Sequence, residues 1–293
     1  MNRKFLFALT FIFTVFNCIF ASAEETGGFL GLREYEESRG NTVYWDEDNK
    51  KISVYSGNDF MYLVRLGSGS IDLGNLRVHL DYRVGEENGK AYLEKETIDF
   101  INGLLFPTKD FPEENGYSLT QQVYENGDKS KVINYPKIEN YKGELLQQYM
   151  NQDILGLVNG YAENNMYKSI SMDYSIEKSD DKYISILFSG TAEIEGFNNK
   201  MNIMDSITFD LDTGNRISAE NYIKDSEGFK IILENNAVKP LEYESLRFYF
   251  KGDDVVFYYR PLDDSSNFYD IININRGVML DVANDSFGEK PAS

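Results

Sequence analysis

The chain is poor in the residues that carry most protein chemistry. Among its 293 residues there are one cysteine, one histidine, one tryptophan and six prolines. Each scarcity excludes something. Cys18 falls inside an apolar leader, so a chain cleaved behind it has no disulfide, no thiolate metal site and no cysteine nucleophile. His79 alone offers no cluster of imidazoles for a metal-dependent hydrolase. Without a nucleophile in a recognisable motif, it has no triad to serve either. Long apolar runs are missing too. Residues 5–16 form one, and no later stretch is long enough to span a bilayer.

That one run reads as a secretory leader. Arg3 and Lys4 precede it, and Ala21-Ser22-Ala23 satisfies the small-x-small rule, so the sequence predicts a signal peptide over residues 1–23 with cleavage after Ala23. Cys18 follows Phe16-Asn17 rather than a small residue, which speaks against lipid attachment. The expectation is a secreted, cell-envelope-associated protein with no membrane span in its mature part.

What is abundant is negative charge and aromatic side chains. There are 48 acidic against 29 basic residues, a net charge of −19, and removal of Arg3 and Lys4 makes it two units more acidic. Such a surface repels phosphate backbones and anionic lipid, which excludes nucleic acid as a partner. It suits solubility or a cationic protein. With 42% hydrophobic residues, 21 Tyr and 20 Phe, the chain has ample core material, and a Tyr-rich alternating composition favours strands.

Two structured blocks follow the leader. In the first, residues 28–105, a short helix over 29–38 ends at Gly40. A hairpin pairs strands 43–45 and 52–55 across the turn Asp46-Glu47-Asp48-Asn49. Strands are expected at 60–66 and 77–82, and a helix capped by Thr97 carries Ile98, Ile101 and Leu105. Residues 106–131 hold Pro107, Pro112 and two Asn-Gly pairs and read as a linker. The second block, 132–282, opens with a helix over 141–163 on the spacing of Leu146, Met150, Ile154, Leu157, Val158 and Tyr161. The period then drops to two in Ile170–Ile176, Ile184–Phe188 and Ile203–Leu211. A helix capped by Asp225 runs to about 236, and strands at 246–259 and 269–274 complete the block, leaving 283–293 as a tail. The fold class is α+β: two domains, each an antiparallel sheet with helices on one face.

The first block resembles the copper amine oxidase N-terminal-like domain, a module of secreted Gram-positive proteins, through Leu32-Arg33-Glu34, Gly40, Val43-Tyr44-Trp45-Asp46, Lys51-Ile52-Ser53-Val54 and Gly89 to Leu93. That resemblance implies a stalk-like or wall-associated module without copper. The second block resembles the extracytoplasmic domain of RsiV-type anti-sigma factors and PdaC-type peptidoglycan deacetylases. The carrying residues are Tyr135-Pro136-Lys137-Ile138, Asn151, Ser206 to Gly214, Ile217, and the Phe248-Tyr249-Phe250 and Val255 to Tyr259 strands. It implies recognition at the cell exterior, of lysozyme in the anti-sigma relatives. Here Arg260-Pro261-Leu262-Asp263-Asp264 stands where the family often has a Tyr- and Pro-containing loop. The chain carries neither an anti-sigma segment nor a deacetylase domain.

Leu211-Asp212-Thr213-Gly214 also looks like an aspartic-protease signature. That chemistry needs two carboxylates sharing a proton, and only one such motif is present. The motif equally suits a tight turn, with Asp opening it and Gly at positive φ. Asp46 to Asn49 fails as an EF-hand, since positions six and twelve are Lys51 and Gly57. No pair among the many carboxylates stands out for glycosidase chemistry.

The sequence is therefore read as a non-catalytic binding protein with no cofactor and no metal. Its expected partner is a basic, lysozyme-like protein, with peptidoglycan binding or an unrecognised carboxylate enzyme as alternatives. The candidate ligand-binding residues are Tyr258, Tyr259, Arg260, Pro261 and Phe268, although the aromatic strand that holds the two tyrosines reads first as a buried central strand and only second as an exposed platform.

Overall fold

The computed structural model describes residues 28–87, 89–106, 116–196, 200–235, 245–261 and 268–287. The expected leader over 1–23, much of the 283–293 tail, and Leu262, Asp263 and Asp264 lie outside the described residues. The chain divides into two compact units: one of residues up to Gly74 plus Tyr82–Leu105, the other of Asn75–Asp81 plus Phe106–Ser293.

In the first unit, strand β1 (Phe29–Gly31) leads into helix α1 (Leu32–Ser38), which stops at Arg39. Gly40 follows at φ 84, the left-handed conformation that ends a helix cheaply only for glycine. The helix is shorter than expected because residues 29–31 pair as a strand. Next come β2 (Thr42–Asp46), β3 (Lys51–Ser56), β4 (Asp59–Arg65) and β5 (Ser70–Leu73), an antiparallel meander. The turn between β2 and β3 is closed by Asp46, whose two carboxylate oxygens accept from the Asn49 amide N–H at 3.1 Å and the Asn49 side chain at 2.8 Å. That carboxylate is a turn closer, not a calcium ligand set.

Strand β6 (Leu76–His79) belongs with the second unit, although sequence order put it in the first. The first unit resumes with β7 (Gly85–Glu87), β8 (Lys90–Glu94) and helix α2 (Lys95–Leu105). β1, β8 and β7 form a three-stranded antiparallel sheet. Thr97 lies inside α2 rather than at its cap and accepts from the Tyr82 hydroxyl at 3.1 Å.

The second unit begins with β9 (Ser118–Glu125), inside the stretch expected to be linker. Its Thr, Gln and Glu residues give little apolar signal, because β9 is an edge strand held by the ladder to β10 (Lys131–Glu139). Helix α3 (Glu144–Ala162) then crosses to β11 (Tyr167–Ser179), which pairs parallel to β10. β12 (Tyr183–Ile194) and β13 (Lys200–Asp210) complete a five-stranded sheet in the order β13-β12-β11-β10-β9. The sheet is antiparallel elsewhere. The helical crossover is what permits the parallel pair.

Helices α4 (Ala219–Tyr222) and α5 (Ser226–Asn235) follow. Asp225 caps α5 as the sequence predicts, accepting from Gly228 N–H at 3.0 Å. Strands β14 (Arg247–Lys251), β15 (Asp254–Tyr259) and β16 (Tyr269–Asn275), with β6 parallel to β16, form a second sheet layer of this unit, closed by the short helix α6 (Arg276–Met279). Two cores result. Met150, Ile154 and Val158 of α3 pack on Ile170, Ile186, Phe188 and Ile207. Tyr222, Phe229 and Leu233 pack on Phe248, Phe257 and Ile272.

Candidate functional site

Of the sequence-predicted site residues, the two tyrosines are buried and the other three are partly exposed. Tyr258 and Tyr259 are 1% and 5% exposed, so neither can present an aromatic platform. β15 lies between β14 and β16, and both of its faces are covered. On one face Tyr259 joins the α5 core. On the other, Tyr258 donates its hydroxyl to Ser206 Oγ at 2.8 Å. Arg260 is half-buried, its guanidinium donating to Asn202 O at 2.6 Å and Tyr269 Oη at 3.1 Å and lying 4.8 Å over the Tyr269 ring. Pro261 and Phe268 are half-buried, and Phe268 stacks under Arg77 at 5.4 Å.

The motif Asp212-Thr213-Gly214 is a turn. Thr213 N–H donates to Asp210 Oδ1 at 3.0 Å, Gly214 N–H to Asp210 O at 2.8 Å, and Gly214 sits at φ 70. Asp212 is exposed. Asn151, which carried part of the family resemblance, clamps the backbone of β10. Its amide accepts from Ile138 N–H and donates to Ile138 O, both at 2.8 Å. His79 packs with Nε2 3.3 Å from Asp270 Oδ2, which also accepts from the Tyr259 hydroxyl at 3.0 Å. Among the described residues, no group of three or more His, Cys, Asp and Glu is placed to hold a metal ion.

The feature the sequence did not single out is a groove of about 550 Å³ along one flank of α3. Helix α3 contributes Gln152, Asp153, Gly156, Leu157, Gly160 and Tyr161; Asp205 of β13 and Arg216, after the turn, stand opposite. The groove has a polar floor. The Tyr161 hydroxyl donates to Asp205 Oδ2 at 3.1 Å, while Ser206 N–H donates to Asp205 Oδ1 at 2.8 Å. Burial, and then the Asp205 charge, push the Tyr161 hydroxyl far above its ordinary value, so it remains a donor at any physiological pH. Tyr161 stacks on Tyr167 with ring centroids 6.0 Å apart.

The free edge of β13 beside this groove is closed by side chains. Arg260 donates to Asn202 O and Arg216 to Ser206 O, while Met204 N–H donates to Tyr269 Oη at 3.2 Å. An added strand has no open ladder to join there. The space above α3 is different. A Cβ built on Gly156 or Gly160 meets no atom within 4 Å. Two glycines in a helix interior each cost about 1 kcal/mol relative to alanine, and no packing requires them here. The outward face of α3 exposes Leu145, Gln148, Tyr149, Gln152, Gly156 and Gly160 beside the charged Glu144 and Asp153. A Gly-x-x-x-Gly spacing inside a helical period was the available signal.

No protein-family model matches the chain, and no curated protein matches it in sequence. Solved structures of DUF3298 family proteins resemble it in part. A DUF3298 family member from Bacteroides fragilis is 11% identical over 57% of this chain and 93% of its own, with a TM-score of 0.38. A DUF3298 family protein from Pseudomonas aeruginosa is 10% identical over 60% of this chain and 97% of its own, with a TM-score of 0.37. At such scores neither likeness bears on the reading of the groove.

Proposed function

We propose that the chain is a non-catalytic binding protein of the cell exterior and that the groove beside α3 is its recognition surface. The observation that carries this reading is the pair Gly156 and Gly160. They keep a helix flank bare at a cost in helix stability that no neighbouring atom explains. A groove with Gly156, Leu157, Gly160 and Tyr161 at its centre and Asp153, Asp205, Arg216 and Arg247 around them has the make-up of an interface centre with a polar rim. The first unit serves as the stalk-like module that its sequence resemblance implies.

The partner we favour is a basic protein of the lysozyme type. The net charge of −19 supports attraction and fast encounter, while the bare glycine flank of the groove supports a specific short-range contact. Titration calorimetry of residues 24–293 against lysozyme, at low and moderate salt, tests the reading. One-to-one binding on the order of micromolar or tighter that survives moderate salt is expected. Gly156→Lys, which adds bulk and like charge to the groove without meeting a neighbour, is expected to weaken it by about tenfold or more. Binding that vanishes with modest salt is bulk charge attraction. Binding unchanged by Gly156→Lys removes the groove from the account.

A further inference from the structure

The first unit holds a second cavity of about 440 Å³, built from residues other than those of the α3 groove. We infer that this cleft is a binding site for one pyranose ring of a neutral sugar, stacked on Trp45 and hydrogen-bonded by the Lys90–Glu34 pair.

The lining divides by chemistry. Ile52, Leu66 and Trp45 form an apolar side, and two cations and two carboxylates, Arg33 and Lys90 with Glu34 and Glu86, a charged side of balanced sign. Trp45 is the sole tryptophan of the chain and stays 41% exposed although it pairs with Ile52 across the hairpin, on the core-facing side of β2. An indole left open beside an apolar floor offers a flat surface for a ligand with an apolar face. Across from it, Lys90 Nζ stands 2.8 Å from Glu34 Oε1. The second carboxylate oxygen, Oε2, is buried without a hydrogen bond. The Lys90 contact holds the Glu34 carboxyl below its ordinary range, so the pair is charged at neutral pH.

The ion pair selects the ligand. An ammonium only donates and a carboxylate only accepts. A ligand anion would be drawn to one and repelled by the other, and so would a ligand cation. A hydroxyl donates and accepts at once and satisfies both. A ring with a C–H face for the indole and adjacent hydroxyls for the pair is a pyranose. The volume admits one or two such rings. This inference uses no residue of the groove and stands if the reading of that groove fails.

Because Trp45 is the only tryptophan, its fluorescence reports this cleft in the intact chain. Titration with tetrasaccharides of N-acetylglucosamine and of glucose is expected to give a saturable change with at least one of them, and the preferred one identifies the sugar. By calorimetry, Trp45→Ala is expected to abolish that binding, and Lys90→Met, which keeps the aliphatic stem, to weaken it by about tenfold. Circular dichroism should show both variants folded, since both positions are partly exposed. Gly156→Lys should leave sugar binding unchanged. No saturable response to either tetrasaccharide overturns the assignment, and so does binding that persists in folded Trp45→Ala.

Discussion

Glu36 has no exposed surface, yet it is not paired with a cation. Its carboxylate accepts from the Tyr62 hydroxyl and from the Asn41 side-chain amide, both at 2.6 Å. Removing one of two donors from a buried carboxylate costs more than the bond itself, because the acceptor is left desolvated. Tyr62→Phe is therefore expected to destabilise the first unit by about 2–3 kcal/mol, read as a lower urea midpoint at unchanged slope. A loss below about 0.5 kcal/mol would mean water replaces the hydroxyl. Gly190 makes the opposite case to Gly156. A Cβ there would stand 2.1 Å from Ser171 O, so Gly190→Ala must push β11 and β12 apart at Met172. Residue-scale features that depend only on neighbours in the chain were legible: Gly40, the Asp46 turn, the Asp225 cap and the Gly214 turn. The burial of the aromatic strand holding Tyr258 and Tyr259 was legible too, from apolar side chains on both its faces, whereas Glu36 was not, because its burial is decided by strands far away in sequence.

At the scale of elements, strong periodicity survived and weak periodicity did not. Helix α3 and strand β11 follow their apolar spacing, since one buried face dictates every second or every third-to-fourth residue, whereas β12 from Tyr183 to Phe188 and much of β13 are buried on both faces, a departure from the one-faced burial expected. The edge strand β9 was missed because its polar side chains face water and its order comes from the β10 ladder. The parallel placement of β10 against β11 was also illegible, as alternation has no direction. The flank of α3 invites a measurement. Gly156→Ala and Gly160→Ala should each raise stability by about 1 kcal/mol, since both sites accept a Cβ freely. If these same variants weaken partner binding while stabilising the fold, the glycines serve the groove. A destabilising effect of either would instead reveal a close approach to α3 and sink that argument. Asn151→Ala should destabilise by about 1–3 kcal/mol through the two orphaned backbone groups of Ile138, without changing the groove lining.

At the scale of the whole molecule, the aromatic content has a consequence in alkali. Burial raises the hydroxyls of Tyr161, Tyr249 and Tyr258 far above their ordinary value, and pushes Tyr222 up to about 12. All four are in the second unit; Tyr62, in the first, is raised by burial and by Glu36. The unfolded chain releases tyrosine protons near pH 10 while the folded chain keeps them. Above about pH 10 the unfolded state therefore binds fewer protons, and stability falls as pH rises, by up to about 1.4 kcal/mol per pH unit for each such tyrosine. Below about pH 10 these groups add no slope, because both states are protonated. Urea unfolding at about pH 8, 9, 10 and 11, followed by Trp45 fluorescence for the first unit and by far-ultraviolet circular dichroism for the larger second one, should show the second losing stability more steeply. Tyr222→Phe keeps the ring that stacks on Phe248 at 5.2 Å and should remove one proton from that slope until about pH 12. Equal slopes for the two units, or a slope that Tyr222→Phe leaves unchanged, would rule out the buried tyrosines as the source of the alkaline loss.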